Sequence, residues 1–378
     1  MFRRDGAEVH LEPQVFDLLV LLGRHAGQLV TKDTLVEEVW RGLAVSDATI
    51  NARISAARAA VGDDGKAQRV IRTIPRRGFI LQAEVSGADT VARSEEMQTG
   101  EPLDIRYALS RDSSAIAWTS NGDGPPLVRI SHWLSHLEID WQGQIWRPTI
   151  ERLSRTNRVI RYDLRGTGLS SRDAPLEGID GFVDDLEAVM DAAGVAQANL
   201  FAASQAAPVA IAFAARFPER VGKLVIVGGY AEGRVFRPPH AEMVDEPTIL
   251  SMIRLGWGKP GSPFMQALST LFLPDGTPEQ MAEMVHMQLA TADPETAVTM
   301  RKVIDRFQVR DDLPKVRAPT LVFHAQDDAI HPITQGQRIA AGIPGARFVR
   351  LEGRNHMLLP QDPAWGQVMD MTDRFLHG

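Results

Sequence analysis

Leu200-Phe201-Ala202-Ala203-Ser204-Gln205-Ala206-Ala207-Pro208-Val209 decides how the larger part of this 378-residue chain is read. A short apolar run leads into Ser204, and a second run rich in alanine follows it. The pattern predicts a strand, a sharp turn with the serine at its apex, and a helix, which together push a hydroxyl out beyond the edge of a sheet. Such turns usually carry glycine two residues before and after the serine, where close packing leaves no room for more. Here those positions are Ala202 and Ala206. One added methyl is the mildest possible change, but at positive φ it costs roughly 1–2 kcal/mol. Ser204 is thus open to three readings: nucleophile, pocket hydroxyl or buried helix cap.

The sequence around it alternates strands with helices. Ile105–Ser110, Ala115–Ser120, Leu127–Ile130 and Thr156–Asp163 read as strands, Gly181–Ala193 as a helix, and Leu224–Val227, Thr320–His324 and Arg347–Leu351 as further strands. Alternation of this kind predicts an α/β domain with a mainly parallel sheet covered on both faces. Two later loops carry groups that fit a serine: Gln326-Asp327-Asp328 after one strand, and Arg354-Asn355-His356 after another.

RYDLRGTGLSS (161–171), the Ser204 turn, PTLVFHAQDDAIHP (319–332) and LEGRNHM (351–357) together resemble the α/β-hydrolases over essentially the whole segment 103–378. The resemblance implies an α/β-hydrolase fold with a helical cap inserted at about 230–318. It also implies a triad in the chain order Ser204, Asp328, His356. A hydroxyl is too weakly acidic to attack alone, an imidazole takes its proton, and a carboxylate fixes the imidazole and stabilises its charged form. Asp328 is preferred over Asp327 because it stands four residues before Pro332, the family spacing. The backbone N–H groups of Trp133 and Gln205 take the position of the oxyanion hole. In the cap and its rim, Trp133, Trp257, Phe264 and Met265 are expected to line a pocket for a small, largely apolar or aromatic ligand, such as an ester or lactone. The histidines lack metal-ligand spacing and Gly166-Thr167-Gly168 lacks a P-loop ending, so neither metal nor cofactor is expected.

Residues 1–86 read differently. Pro13–Arg24 and Lys32–Trp40 are amphipathic helices, and Ser46 caps a third in which Ile50, Ile54, Ala57 and Val61 share one face. Arg69–Ile80 then reads as two strands about a basic tip. VFDLLVLL, GQLVTKDTLVEEVW, VSDATINARISAARAAVGDD and IRTIPRRGF resemble the winged helix-turn-helix of OmpR/PhoB-type regulators. The resemblance implies binding to double-stranded DNA, with Asn51, Arg53, Ser55 and Arg58 on the recognition helix and Arg76 and Arg77 on the wing. Gly78 is expected to allow a tight wing turn. The same family mode, one head on each of two half-sites, implies a homodimer. The receiver that usually supplies this family's input is not read in the chain, so the input is expected elsewhere.

Residues 87–102 are polar and aperiodic, a tether between the two domains. The chain lacks cysteine, which excludes disulfides, thiolate nucleophiles and cysteine-bound zinc. The net charge of −7 divides unevenly: the head has 12 Lys+Arg against 11 Asp+Glu and the remainder 29 against 37, which places any nucleic-acid contact at the head. With neither a signal peptide nor a membrane span read, the cytoplasm is the expected compartment. The expected function is a DNA-binding transcriptional regulator that senses a small ligand in a hydrolase-like body. An active serine hydrolase of esterase or lactonase type, with an accessory DNA-binding head, is the alternative.

Overall fold

The computed structural model describes residues 2–4, 7–9, 11–27, 29–40, 45–75, 77–83, 103–133, 135–237, 246–259 and 262–378. Two compact units divide the chain, Met1–Glu101 and Pro102–Gly378. The expected tether at 87–102 lies outside the described residues.

In the first unit β1 (Phe2–Arg4) pairs antiparallel with β2 (Ala7–Val9), and α1 (Pro13–Arg24), β3 (Val30–Thr31), α2 (Lys32–Trp40) and α3 (Asp47–Ala60) follow. The unit closes with the hairpin β4 (Ile71–Ile74) and β5 (Gly78–Leu81), and β3 adds to the free edge of β5. Leu18 and Leu22 of α1, Leu35 of α2, Ile54 and Ala57 of α3 and Ile71 of β4 are almost fully buried in one core. Helical periodicity alone brings these residues onto facing stripes. Ser46 caps α3 by accepting the Thr49 N–H at 3.2 Å. Gly78 is not part of the wing's turn. It sits in β5 at φ +148°, where a Cβ would meet the Val30 carbonyl at 2.0 Å, so glycine is required by the crossing of β3.

The second unit is built on an eight-stranded sheet. Its strands are β6 (Arg106–Leu109), β7 (Ala115–Asn121), β8 (Pro126–Ile130), β9 (Arg158–Tyr162), β10 (Ala198–Ala203), β11 (Val221–Val227), β12 (Thr320–Ala325) and β13 (Arg347–Leu351). The spatial order is 13-12-11-10-8-9-7-6, antiparallel only at β6 and β7 and parallel elsewhere. Between β8 and β9 lie α4 (Leu137–Gln142) and α5 (Arg147–Ser154), which periodicity did not reveal because they are short. The remaining helices are α6 (Asp180–Ala192), α7 (Ala206–Arg216), α8 (Glu246–Gly256), α9 (Pro263–Phe272), α10 (Pro278–Thr291), α11 (Pro294–Ile304), α12 (Ile333–Gly342) and α13 (Pro363–His377). Helices α8–α11 fall within the expected cap insertion, and Met265, Met284, Met287 and Met300 are fully buried there.

β10 is central and buried on both faces, which explains its unbroken apolar run. The loop after β9 is fixed by charge. Arg165 makes two parallel hydrogen bonds to Asp185 of α6 at 2.7 and 2.8 Å and a third to Asp112 at 2.8 Å. Asp163 beside it accepts the N–H groups of Leu137 and Leu169, and its burial is strong enough to push the carboxyl up to about 8.

Candidate functional site

β10 ends one residue before Ser204, and the turn into α7 takes its strain at the serine itself, which sits at φ +54°. Neither Ala202 nor Ala206 is in positive φ, and both are completely buried. Alanine in place of glycine therefore adds a methyl to a packed site and no backbone strain. The neighbouring chain is close at the next residue: a Cβ on Gly229, after β11, would stand 2.4 Å from the Ala207 Cβ. The Ser204 N–H is held by the Val227 carbonyl at 3.0 Å, which locks the turn to β11.

Two loops converge on the turn. The Ser204 hydroxyl lies 2.8 Å from His356 Nε2, and His356 Nδ1 lies 2.7 Å from Asp328 Oδ2. Asp328 follows β12 and His356 follows β13, so two neighbouring parallel strands deliver acid and base to one edge. The other carboxylate oxygen, Oδ1, accepts the N–H groups of Ile330 and His331 at 2.8 and 3.0 Å. Burial works to raise the Asp328 carboxyl, but the charge and hydrogen bond of His356, with His324 and the His331 N–H, hold it below the usual carboxylate range. Asp327 is exposed and makes no such contact; its N–H goes to the Gly353 carbonyl. The cap steadies the histidine, because the Phe272 carbonyl at the end of α9 accepts the N–H groups of His356 and Met357.

Gln205 stands at the N-cap of α7. Among the described residues neither its N–H nor that of Trp133 donates to a backbone carbonyl. The Gln205 side chain is buried, with Oε1 and Nε2 unpartnered among the described residues.

Three further histidines surround the triad without having been singled out from sequence. His324 Nε2 donates to the His331 carbonyl at 2.8 Å and stands 3.6 Å from Asp328 Oδ2. The His331 ring meets His356 edge-on at 5.2 Å and receives the Arg237 guanidinium at 3.3 Å on Nδ1. His132 accepts from Arg129 at 3.2 Å, which assigns its hydrogen to Nδ1. Burial, together with the neighbouring arginine, holds both His132 and His331 well below the ordinary imidazole range, so both are neutral. His132, His324 and His331 reach His356 or Ser204 only through the packing of separate strands and loops, so spacing along the chain offered no signal.

A cavity of about 20 Å³, room for a water molecule, opens between Ser204, His356, His132, Trp146, Thr149 and Met369. None of the expected ligand-wall residues Trp133, Trp257, Phe264 and Met265 is among those lining it. Trp133 packs on Trp257 at 5.5 Å, the Trp257 indole N–H is satisfied by the Ala292 carbonyl at 2.7 Å, Met265 is fully buried, and Phe264 packs against Gly256. Large apolar side chains on short cap helices fill the cap's own core before they face a ligand. Among the described residues no cluster has the groups to hold a metal ion.

In the head, Asn51 and Ser55 are exposed on α3. Arg53 is half-buried and tied to Glu12 at 2.6 Å and to Gln14 at 3.1 Å. Arg58 departs from expectation: it is 6% exposed and donates to the Ile71 carbonyl at 2.9 and 2.8 Å and to Thr73 Oγ1 at 2.8 Å. It faces β4 and cannot reach a groove, because the last turn of α3 packs on the wing. Arg77 is exposed, and Arg76 lies outside the described residues.

Comparison with known proteins divides the chain in the same way. Residues 6–81 match the transcriptional regulatory protein C-terminal family and residues 138–259 the α/β-hydrolase fold family. The putative carbamate hydrolase RutD of Azorhizobium caulinodans is 32% identical over 215 residues, 56% of this chain and 78% of that protein. The transcriptional activator CadC of Escherichia coli is 34% identical over 112 residues, 29% of this chain and 22% of that protein. Among solved structures, the enol-lactonase of Burkholderia xenovorans LB400 aligns over 72% of this chain and 100% of its own, with a TM-score of 0.57 at 22% identity. No helix among the described residues is long and apolar enough to cross a membrane.

Proposed function

We propose, for a chain that belongs to the α/β-hydrolase fold family and carries a winged-helix DNA-binding regulator domain ahead of it, that the protein is a transcriptional regulator whose body senses a small acyl compound at Ser204. The head spans 1–86, the tether 87–102 and the sensing body 103–378. Two such chains act as a homodimer on paired half-sites in the cytoplasm.

The triad geometry carries this reading: 2.8 Å from Ser204 to His356, 2.7 Å from His356 to Asp328, and a serine held at positive φ. A site used only as a passive pocket has no need of all three. His356 Nε2 takes the Ser204 proton as the oxygen attacks a carbonyl carbon. The N–H groups of Gln205 and Trp133 receive the developing oxyanion, and His356 returns the proton to the leaving group. Water then releases the acyl group from Ser204 by the same proton path in reverse. The ligand is an ester, lactone or carbamate-like compound with a small apolar or aromatic body. Binding shifts the regulator only as far as it favours one DNA-binding arrangement over the other.

The assembled triad also favours the second reading, in which hydrolysis is the primary activity and the head is accessory. A gel shift on the gene's own upstream DNA, with candidate esters and lactones titrated against wild type and Ser204→Ala, separates the two. A regulator shifts the DNA, responds to one of these compounds, and keeps DNA binding in Ser204→Ala. Absence of a DNA complex, with p-nitrophenyl acetate hydrolysis that Ser204→Ala abolishes, establishes the second reading instead.

A further inference from the structure

We propose that the cavity bounded by Glu232, Arg310 and Arg338 is a second ligand site, separate from the triad, that takes a small organic carboxylate with an apolar body. Its volume is about 560 Å³, within the range of small-molecule sites, whereas the cavity beside Ser204 holds about 20 Å³. Glu232 lies on the segment after β11, Arg310 in the 3₁₀ turn Arg310–Lys315 and Arg338 on α12, so three separate stretches of chain bring charge to one place.

The charges do not cancel. The Glu232 side chain is 10% exposed, with Arg338 Nη1 at 2.6 Å and Arg310 Nη1 at 3.6 Å. Among the described residues Glu232 is the only ionic partner of either arginine, so one carboxylate faces two guanidiniums and one positive charge is left over. The arginine side chains are 74% and 50% exposed, and each guanidinium has five N–H donors, most of them unused. Guanidinium donors of this geometry match a carboxylate in paired hydrogen bonds. A monoanion neutralises the remaining charge; a phosphate brings nearly twice the charge required. Phe236, Leu313 and Pro314 also line the cavity, an apolar surface for the rest of the ligand.

The site touches the triad's support. The Glu232 carbonyl accepts Arg237 Nε at 2.9 Å, the Arg237 guanidinium reaches His331 Nδ1 at 3.3 Å, and His331 meets His356 edge-on at 5.2 Å. A carboxylate that draws the arginines away from Glu232 therefore acts on a segment that also holds the triad histidine. The site does not depend on whether Ser204 turns over a substrate.

Calorimetric titration of full-length protein with benzoate, and with benzamide as its neutral counterpart, tests the proposal. Benzoate binds wild type at least about 10-fold more tightly than benzamide does, one lost charge-assisted contact being worth that much. Arg310→Gln weakens benzoate at least about 10-fold without changing the melting temperature, because Arg338 still neutralises Glu232. Ser204→Ala binds benzoate as wild type does. Equal binding of benzoate and benzamide, unchanged affinity in Arg310→Gln, loss of binding in Ser204→Ala, or no binding of benzoate at all overturns the proposal. None of these outcomes bears on the gel shift, so the two readings fail independently.

Discussion

His356 Nδ1 stands 2.7 Å from Asp328 Oδ2, while the adjacent Asp327 points to solvent. Asp328→Asn leaves the imidazole without its acceptor and favours the wrong tautomer, so turnover of p-nitrophenyl acetate falls about 10³- to 10⁴-fold. Asp327→Asn leaves it within about twofold. Steady-state kinetics on the two variants, with circular dichroism to confirm folding, checks both outcomes.

Gly229 faces Ala207 and Ile226, where a Cβ would approach to 2.4 and 2.6 Å. Gly229→Ala overpacks the base of the turn and destabilises the body by about 1–3 kcal/mol, measured by urea unfolding. Ala206→Gly, by contrast, relieves no positive φ and raises esterase activity by less than about threefold.

Arg58 and Arg77 in the head separate stability from DNA contact. Arg58→Gln breaks buried hydrogen bonds to Ile71 and Thr73 and lowers the head's stability by about 2 kcal/mol or more. Arg77→Ala leaves stability unchanged and weakens operator and random DNA alike, with a smaller salt slope in gel-shift titrations.

Asp63 ties the end of α3 to the wing by accepting four backbone N–H groups, from Asp64, Arg69, Val70 and Ile71. Burial pushes its carboxyl up, yet these donors outweigh burial and bring it down to about 2. The folded value lies below the unfolded one, so the contribution is fully present above pH 4 and is lost as pH falls through about 2. Asp63→Asn destabilises the head by about 1–2 kcal/mol at pH 7, and the difference closes towards pH 2. Hydrogen exchange of the wing amides at several pH values reads the change directly.

Much of this was legible in the chain. The period of Ile50, Ile54 and Ala57 declares a buried face, and the unbroken apolar run before Ser204 declares a central strand, because burial selects residue type position by position. The order Ser204, Asp328, His356 was readable through the resemblance to the α/β-hydrolases, and the parallel sheet brings the loops after β12 and β13 to one edge. Arg58 was misplaced from sequence because a guanidinium serves equally well as a phosphate contact and as a buried donor, and only the approach of β4 decides between them. Trp257 and Met265 pose a related ambiguity: apolar character calls for burial without saying whether by the cap's own core or by a ligand.

Sequence by itself pointed to two domains of different kinds, a winged-helix head and a sheet-based body, and to Asp328 and His356 as the partners of Ser204. Tertiary structure alone decided that the strain falls on Ser204 and spares its flanking alanines. It also decided that His132, His324 and His331 surround the triad, and that Glu232, Arg310 and Arg338 share one cavity. The physical reason is the same in each case. Local pattern records what a residue needs from its surroundings, whereas contacts between residues far apart in the chain exist only once the strands and helices have packed.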